Sequence, residues 1–176
     1  SYYWHANNIN DELINKELEA LENFPEHLNI DYFELDAGYT KYFGDWFSYE
    51  DRFPNGLESI VSRIKNLGYK PAIWISPFSI SPATKLHDHH ASWLLKGDHK
   101  KHFEGRWTSP FDEMSNYVDL EVMDPTNDEV KSYLKKVLTH FMDLGFELFN
   151  IDFMYPVCLS EKFSKPVTRA QALREG

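Results

Sequence analysis

The residues with the most chemical potential lie in Phe146 to Pro156, FELFNIDFMYP. Side chains alternate across a strand at period two, so Leu148, Asn150, Asp152 and Met154 share one face. Phe149, Ile151 and Phe153 share the other, a continuous apolar face expected to pack against helices. The first face brings an amide and a carboxylate to the C-terminal end of the strand, just before Pro156 stops the ladder. Catalytic groups gather at that end in parallel barrels and open α/β sheets. Asp152 is therefore the leading candidate for chemistry; the alternative is an Asp that caps the next loop through a hydrogen bond.

Two further strands carry comparable groups. In Ile30 to Tyr39, IDYFELDAGY, Phe33 and Leu35 lie on one face, Tyr32, Glu34 and Asp36 lie on the other, and Gly38 ends the run. In Tyr69 to Pro77, YKPAIWISP, Ala72, Trp74 and Ser76 oppose Ile73 and Ile75. Asp36, Trp74 and Asp152, each near the C-terminal end of its strand, would converge on one face of a barrel. Asp36 reads as a ligand-binding acid or a buried Asp satisfied by loop amides. Trp74 reads as a pocket wall or as core. Glu34 reads as interior structure paired with a cation. Asp45 and Trp46, in the aromatic loop Thr40 to Pro54, read as site residues or as a packed loop.

The elements that must position these groups alternate regularly. Ser1 to Ala6, SYYWHA, reads as a strand already under way. Asn10 to Phe24 is helical, with Ile14, Leu18 and Leu21 in register, acids in the first turn and Pro25 after the end. Asn55 to Leu67 carries the stripe Leu57, Ile60, Val61, Ile64 and Leu67 and stops at Gly68. Ser79 to Asn116 reads as irregular, polar and rich in His and Trp, a length that usually carries function. Tyr117 to Met123 reads as a short extra strand. A helix starts at Asp124 to Glu129, with Thr126 or Asp124 as N-cap. It runs to Leu144 with Val130, Leu134, Val137, Leu138, Phe141 and Met142 inside. Thr168 to Glu175 begins another. Two helices end in Leu-Gly-aromatic and feed straight into strands, at Leu67 to Tyr69 and Leu144 to Phe146. The order is βα repeated four times, an α/β chain with a parallel sheet. A doubly wound sheet and a (β/α)8 TIM barrel both fit. Neither G-x-G-x-x-G nor G-x-x-x-x-G-K-[ST] occurs.

Composition excludes some partners. The chain has 176 residues, enough for one domain with a core. Its 18 basic and 28 acidic residues give a net charge of −10, which argues against nucleic acid. The basic run Lys96 to His102 is short and mixed with Asp98. The aromatic share of 16% suits sugar stacking or a dense core. Cys158 is the lone cysteine and reads as an inert thiol, which fits a reducing, cytoplasmic location. No apolar run nears the roughly 18 residues of a membrane helix, and no signal peptide is evident. The run His87-Asp88-His89-His90 tempts a metal reading, but adjacent histidines do not converge and no H-E-x-x-H accompanies them. No metal or cofactor is expected. Arg106 and Trp107 lie in the irregular insert, within reach of a substrate.

Several of these segments, in order, resemble clan D α-galactosidases of glycoside hydrolase family 36. Ile30 to Tyr39 followed by Gly44-Asp45-Trp46 resembles the family's IDDGW…GDW region. Phe53-Pro54-x-Gly56-Leu57 and Gly68 to Phe78 are similar to its FP.GL…GFKPGIWIAPF. His90 to Leu95 resembles its HPDWLL, Asp124-Pro125-Thr126 its LDPT, and Phe149 to Phe153 its FKIDF. Thr168 to Gly176 resembles the start of its fourth barrel helix. The resemblance implies a retaining α-glycosidase on a (β/α)8 barrel. Residues 1–176 would be the N-terminal half, four βα units of a barrel that needs roughly 250 residues, truncated at both ends. It implies Asp152 as nucleophile, Asp36 as an acid on sugar hydroxyls, Asp45 and Trp46 on the pocket loop and Trp74 on an aromatic wall. The acid/base has no counterpart in this chain. Retaining cleavage needs two carboxyls roughly 5 Å apart, the nucleophile ionised and held on a rigid element.

The chain departs from the family at two positions. Ala37 stands where a second acid follows the one at Asp36, and Asn150 stands where a Lys precedes the nucleophile by two residues. Both family residues grip galactose, so an altered sugar specificity is expected. Loss of the cation also removes one group that would keep Asp152 ionised among apolar neighbours, since burial raises a carboxylate's pKa. The expected partner is an oligosaccharide or other glycoside. The rival readings are a sugar-binding fragment without activity and a transglycosidase. Open edges at the first and fourth strands would favour self-association.

Overall fold

A computed structural model describes residues 5, 8–24, 29–96, 120–160 and 162–176. Arg106, Trp107, Pro25, most of the Lys96 to His102 run and residues 117–119 lie outside the described residues. So does the expected strand Ser1 to Ala6 apart from His5, which is helical rather than extended.

The described elements follow the βα alternation. They are α1 (Asp11–Glu22), β1 (Tyr32–Leu35), α2 (Glu58–Asn66), β2 (Lys70–Ile75), β3 (Ser79–Ile80), α3 (Lys85–His89), β4 (Glu121–Val122), α4 (Asp128–Leu144), β5 (Leu148–Ile151) and α5 (Arg169–Glu175). Short 3-10 turns occupy Ala91–Trp93 and Tyr155–Leu159. One sheet has the order β1-β2-β5, so β2 is central. β1 and β2 run parallel with Tyr32 opposite Lys70 and Leu35 opposite Ile73. β3 and β4 form a separate antiparallel pair, Ser79 against Val122 and Ile80 against Glu121. The segment from Ser79, expected to be irregular, therefore starts with a strand, and the extra strand expected within Tyr117 to Met123 is its partner.

Helix ends follow their local chemistry. Asn10 caps α1, its side chain accepting from Leu13 N–H at 2.8 Å. After α2, Gly68 N–H donates to Lys65 O and Tyr69 N–H to Ile64 O. After α4, Gly145 N–H donates to Met142 O and Phe146 N–H to Phe141 O. Both Leu-Gly-aromatic ends are thus the same Schellman cap, which satisfies the last carbonyls and turns the chain directly into the next strand. The cap of α4 is Asn127, whose side chain accepts from Glu129 N–H at 2.8 Å, rather than Thr126 or Asp124. Thr168 and Gln171 make a reciprocal capping box on α5.

The described chain divides into two compact units. The first comprises Ser1–Lys41, Tyr49–Ile75 and Thr139–Asn150. Its core includes Ile14, Leu18, Leu35, Ile60, Ile64 and Ile73, all fully buried. Each contributes about 1.5–3 kcal/mol by burial. Phe141, also fully buried, meets Tyr39 and Phe146 edge-on at centroid distances of 5.9 Å each. The second unit comprises Tyr42–Ser48, Ser76–Leu138 and Ile151–Gly176. Phe43, Trp46, Phe78, Ile80, Met123 and Val130 are buried there. Two expectations about burial are corrected. Met142, placed inside by its spacing, is 61% exposed. On the apolar face of β5, Phe149 is half-buried but Ile151, expected to pack against a helix, is 51% exposed. Among the described residues, no helix is long and apolar enough to cross a membrane.

Candidate active site

The first unit holds Asp36, Trp74 and Asn150. Asp36 follows directly on the last β1 residue, and Trp74 directly on the last ladder pair, Leu35 with Ile73. Asp36 is half-buried, and its carboxylate accepts the N–H of Ala37 at 2.6 Å. Burial pushes its carboxyl above the usual range, against the pull of the Ala37 N–H. The neighbouring Glu34 carboxylate raises it further, by charge and by a shared hydrogen bond. Trp74 is 5% exposed, and its carbonyl accepts from the Tyr39 hydroxyl at 2.8 Å, which ties the loop after β1 to the end of β2.

Among the described residues, Glu34 is not paired with the cation expected of it. Its Oε1 accepts from Asn150 Nδ2 at 2.9 Å. β1 and β5 both flank β2, so this bond links the two strands on either side of the central one. Glu34, Asp36 and Asn150 thus form one polar group on a single sheet face. Spacing placed Glu34 and Asp36 together, but nothing local to Glu34 announces a partner on another strand.

The second unit holds Asp45, Trp46 and Asp152. Asp45 accepts from the Ser48 hydroxyl at 2.7 Å and folds its own loop. Trp46 is fully buried and meets Phe43 edge-on at 6.0 Å, the packed-loop arrangement. Tyr133 on α4 donates its hydroxyl to the Gly44 carbonyl in a short hydrogen bond. Burial pushes the Tyr133 hydroxyl pKa well up, the backbone at Trp46 opposes this, and the Asp45 charge adds to the rise.

Asp152 is the first residue past β5 and is exposed, so the apolar burial expected around it is absent. Its carboxylate accepts the Phe153 N–H at 2.7 Å. Phe153 has φ +50°, the one positive φ outside glycine among the described residues. An aromatic residue in that region is a strained outlier of the kind that collects at functional sites. No sequence signal pointed to it.

The loop beyond Asp152 is anchored within the same unit. Asp124, 2% exposed, accepts at Oδ1 from Thr126 N–H at 2.8 Å and Thr126 Oγ1 at 2.7 Å. Its Oδ2 accepts from Ser164 N–H at 2.5 Å. Thr126 Oγ1 in turn accepts from Lys165 N–H at 3.3 Å. Trp93 donates to Glu129 at 2.7 Å and stacks on His90 at 4.0 Å. His87 Nε2 lies 3.3 Å from Glu121 Oε2, so the histidines of the run face different partners. Among the described residues, no group of three or more His, Cys, Asp or Glu side chains could hold a metal. Cys158 is a free, half-exposed thiol.

Comparison with known proteins adds the following. The sequence profile of the Melibiase family matches residues 4–152. An α-galactosidase of Escherichia coli is 33% identical over 75 residues, 39% of this chain and 11% of that protein. Alpha-galactosidase C of Emericella nidulans is 29% identical over 140 residues, 67% of this chain and 19% of that protein. The chain therefore spans a minor part of these relatives. Among solved structures, the α-galactosidase TtGalA of Thermus thermophilus in complex with p-nitrophenyl α-D-galactopyranoside superposes with a TM-score of 0.75. Identity is 23%, over 90% of this chain and 31% of that one. The same enzyme in complex with stachyose gives a TM-score of 0.74, at 23% identity over 90% and 32% of the two chains. At such identities the likeness is one of fold.

Proposed function

The chain belongs to the Melibiase family, and from that premise we propose that it carries the nucleophile half of a retaining α-glycoside hydrolase, α-galactosidase-like in chemistry. In this reading the chain spans the first four βα units of a (β/α)8 barrel, with β1, β2 and β5 as its second, third and fourth strands. Asp152 attacks the anomeric carbon while an acid elsewhere in the protein protonates the leaving oxygen. Water then releases the glycosyl group from Asp152, with the acid now acting as base. Asp36 and Asn150 receive sugar hydroxyls, and Asp45, Trp46 and Trp74 shape the surrounding loop and strand ends. The substrate is a terminal α-linked sugar on an oligosaccharide or other glycoside, and the free thiol of Cys158 suits a cytoplasmic location.

The observation that carries the reading is Asp152 itself. It is an exposed carboxylate one residue past a strand, held by the N–H of a residue in strained left-handed backbone. A loop-capping Asp needs no such strain. A second reading, sugar binding without turnover, is favoured by Ala37 and Asn150, which replace two residues the resemblance leads one to expect. Covalent trapping separates the two. The full-length protein is incubated with a panel of 2-fluoro glycosyl fluorides, and adducts are mapped by peptide mass spectrometry. Fluoride leaves without a general acid, so labelling reports the nucleophile alone. The expected result is one adduct, on Asp152, from an α-configured sugar. Sugar binding with no adduct would leave the second reading.

The exposed edge at β5 is where further strands of the barrel would pair. In the isolated 176 residues it would instead pair with a second copy. Light scattering of that chain is expected to report a dimer, and a monomer would refute the pairing.

A further inference from the structure

The Asn150 amide is exposed, yet its orientation is set by the structure. Glu34 offers only acceptors when ionised, so the amide nitrogen must face it and Oδ1 must turn away. The reverse orientation would set one acceptor against another. Asn150 therefore presents a carbonyl oxygen. The residue doing this, Glu34, lies two positions before Asp36 on the same strand face and is linked to it electrostatically.

We infer that Glu34 is a specificity-determining positioning residue: by holding Asn150 Nδ2 it fixes Oδ1 as an acceptor, so the site selects sugars whose hydroxyl donates at that position. The inference rests on the reading of Asn150 as a sugar ligand. A cation at position 150 would place donors there and select through the sugar's acceptor lone pairs. Here the hydroxyl proton is required, and a deoxy or deoxyfluoro analogue at that position cannot supply it.

The test uses the full-length protein and isosteric exchanges at both ends of the bond. Asn150→Asp keeps an oxygen facing the sugar but sets two carboxylates against each other. Glu34→Gln in that background restores the bond with its direction reversed, the new amide at position 34 donating to the new carboxylate at position 150. Sugar dissociation constants are measured by calorimetry for the wild type, N150D, E34Q and the double variant, with melting curves to confirm folding. N150D is expected to weaken binding about tenfold, the scale of leaving one polar partner mismatched. Adding E34Q should recover about threefold or more, because coupled partners are non-additive. E34Q alone should relax selectivity, because a Gln amide can donate to Asn150 as well as accept from it and no longer fixes which end faces the sugar: the deoxyfluoro analogue should gain on the parent sugar by about threefold or more relative to the wild type. Failure of E34Q to rescue N150D, or a wild type that binds no sugar of the panel, overturns the inference. Because the cycle is read on binding, it does not depend on turnover; an adduct on Asp152 decides the hydrolase reading separately.

Discussion

Asp124→Asn is the sharpest test of how the loop beyond the candidate nucleophile is held. The substitution keeps the shape of the side chain, removes its charge and changes one oxygen to an amide NH2. In the native protein both oxygens are used: Oδ1 by two donors of Thr126, Oδ2 by the Ser164 N–H. If Asn places its nitrogen at the Ser164 side, that N–H meets a donor and one bond is lost. If it places it at the Thr126 side, the bond from the Thr126 N–H is lost and the Thr126 hydroxyl must turn from donor to acceptor. In either orientation the remaining bonds lose their charge assistance. A hydrogen bond to a charged group contributes about 1.5–3 kcal/mol, and a buried donor left unmatched costs about 1–3 kcal/mol. Since Asp124 is 2% exposed, water cannot substitute. The expected destabilisation is about 2–4 kcal/mol, a large part of the 5–15 kcal/mol typical of a folded domain. Urea denaturation gives the total, and limited proteolysis near Ser164 tells whether the loss begins there. Thr126→Val in the D124N background should cost less than in the wild type, because the two share one network. A loss below about 0.5 kcal/mol, the range of ordinary surface changes, would show that the loop is held by something else.

Two further outcomes follow from other parts of the structure. Asp36 binds its proton more tightly in the folded protein than in the unfolded chain, so its stabilising contribution is complete below the unfolded pKa and lost as pH rises through the folded one. Asp36→Asn should therefore match the wild type in acid and exceed it in stability at neutral pH, and urea midpoints across that range that show the wild type gaining on the variant would refute the assignment. Phe141→Ala should cost about 3–5 kcal/mol, since it empties a fully buried site and removes both edge-on aromatic contacts; a loss under about 1 kcal/mol in urea denaturation would mean that Tyr39 and Phe146 close the gap.

What could be read in the sequence was local. The Leu-Gly-aromatic ends of α2 and α4 predict their own caps, because a Schellman motif is decided by a glycine and the residues beside it. The strand centres were legible from alternation, although each strand is shorter than its apolar run. What could not be read depends on contacts far along the chain. Glu34 gains its partner from Asn150, 116 residues on and two strands over. Asp124 reads locally as a helix cap, yet its second oxygen is claimed by Ser164, 40 residues on. Whether a strand face is covered is likewise invisible to periodicity: Ile151 has the spacing of a packed residue and is 51% exposed.

The two strand-end aspartates show why strain appears at one and not the other. Asp36 and Asp152 each stand one residue past a strand, and each takes the N–H of the residue that follows, at 2.6 and 2.7 Å. Beyond the ladder, that N–H can turn toward its neighbour's carboxylate. After Asp36 the chain delays its left-handed step by one residue and takes it at Gly38, φ +107°, where no Cβ resists. After Asp152 the step falls at once, on Phe153, at a cost of about 1–2 kcal/mol for a residue with a side chain. Such a residue persists only if its surroundings over-determine it. The same device therefore holds both carboxylates, but only the one proposed to form a covalent bond is held by backbone that would relax if the contacts around it were loosened.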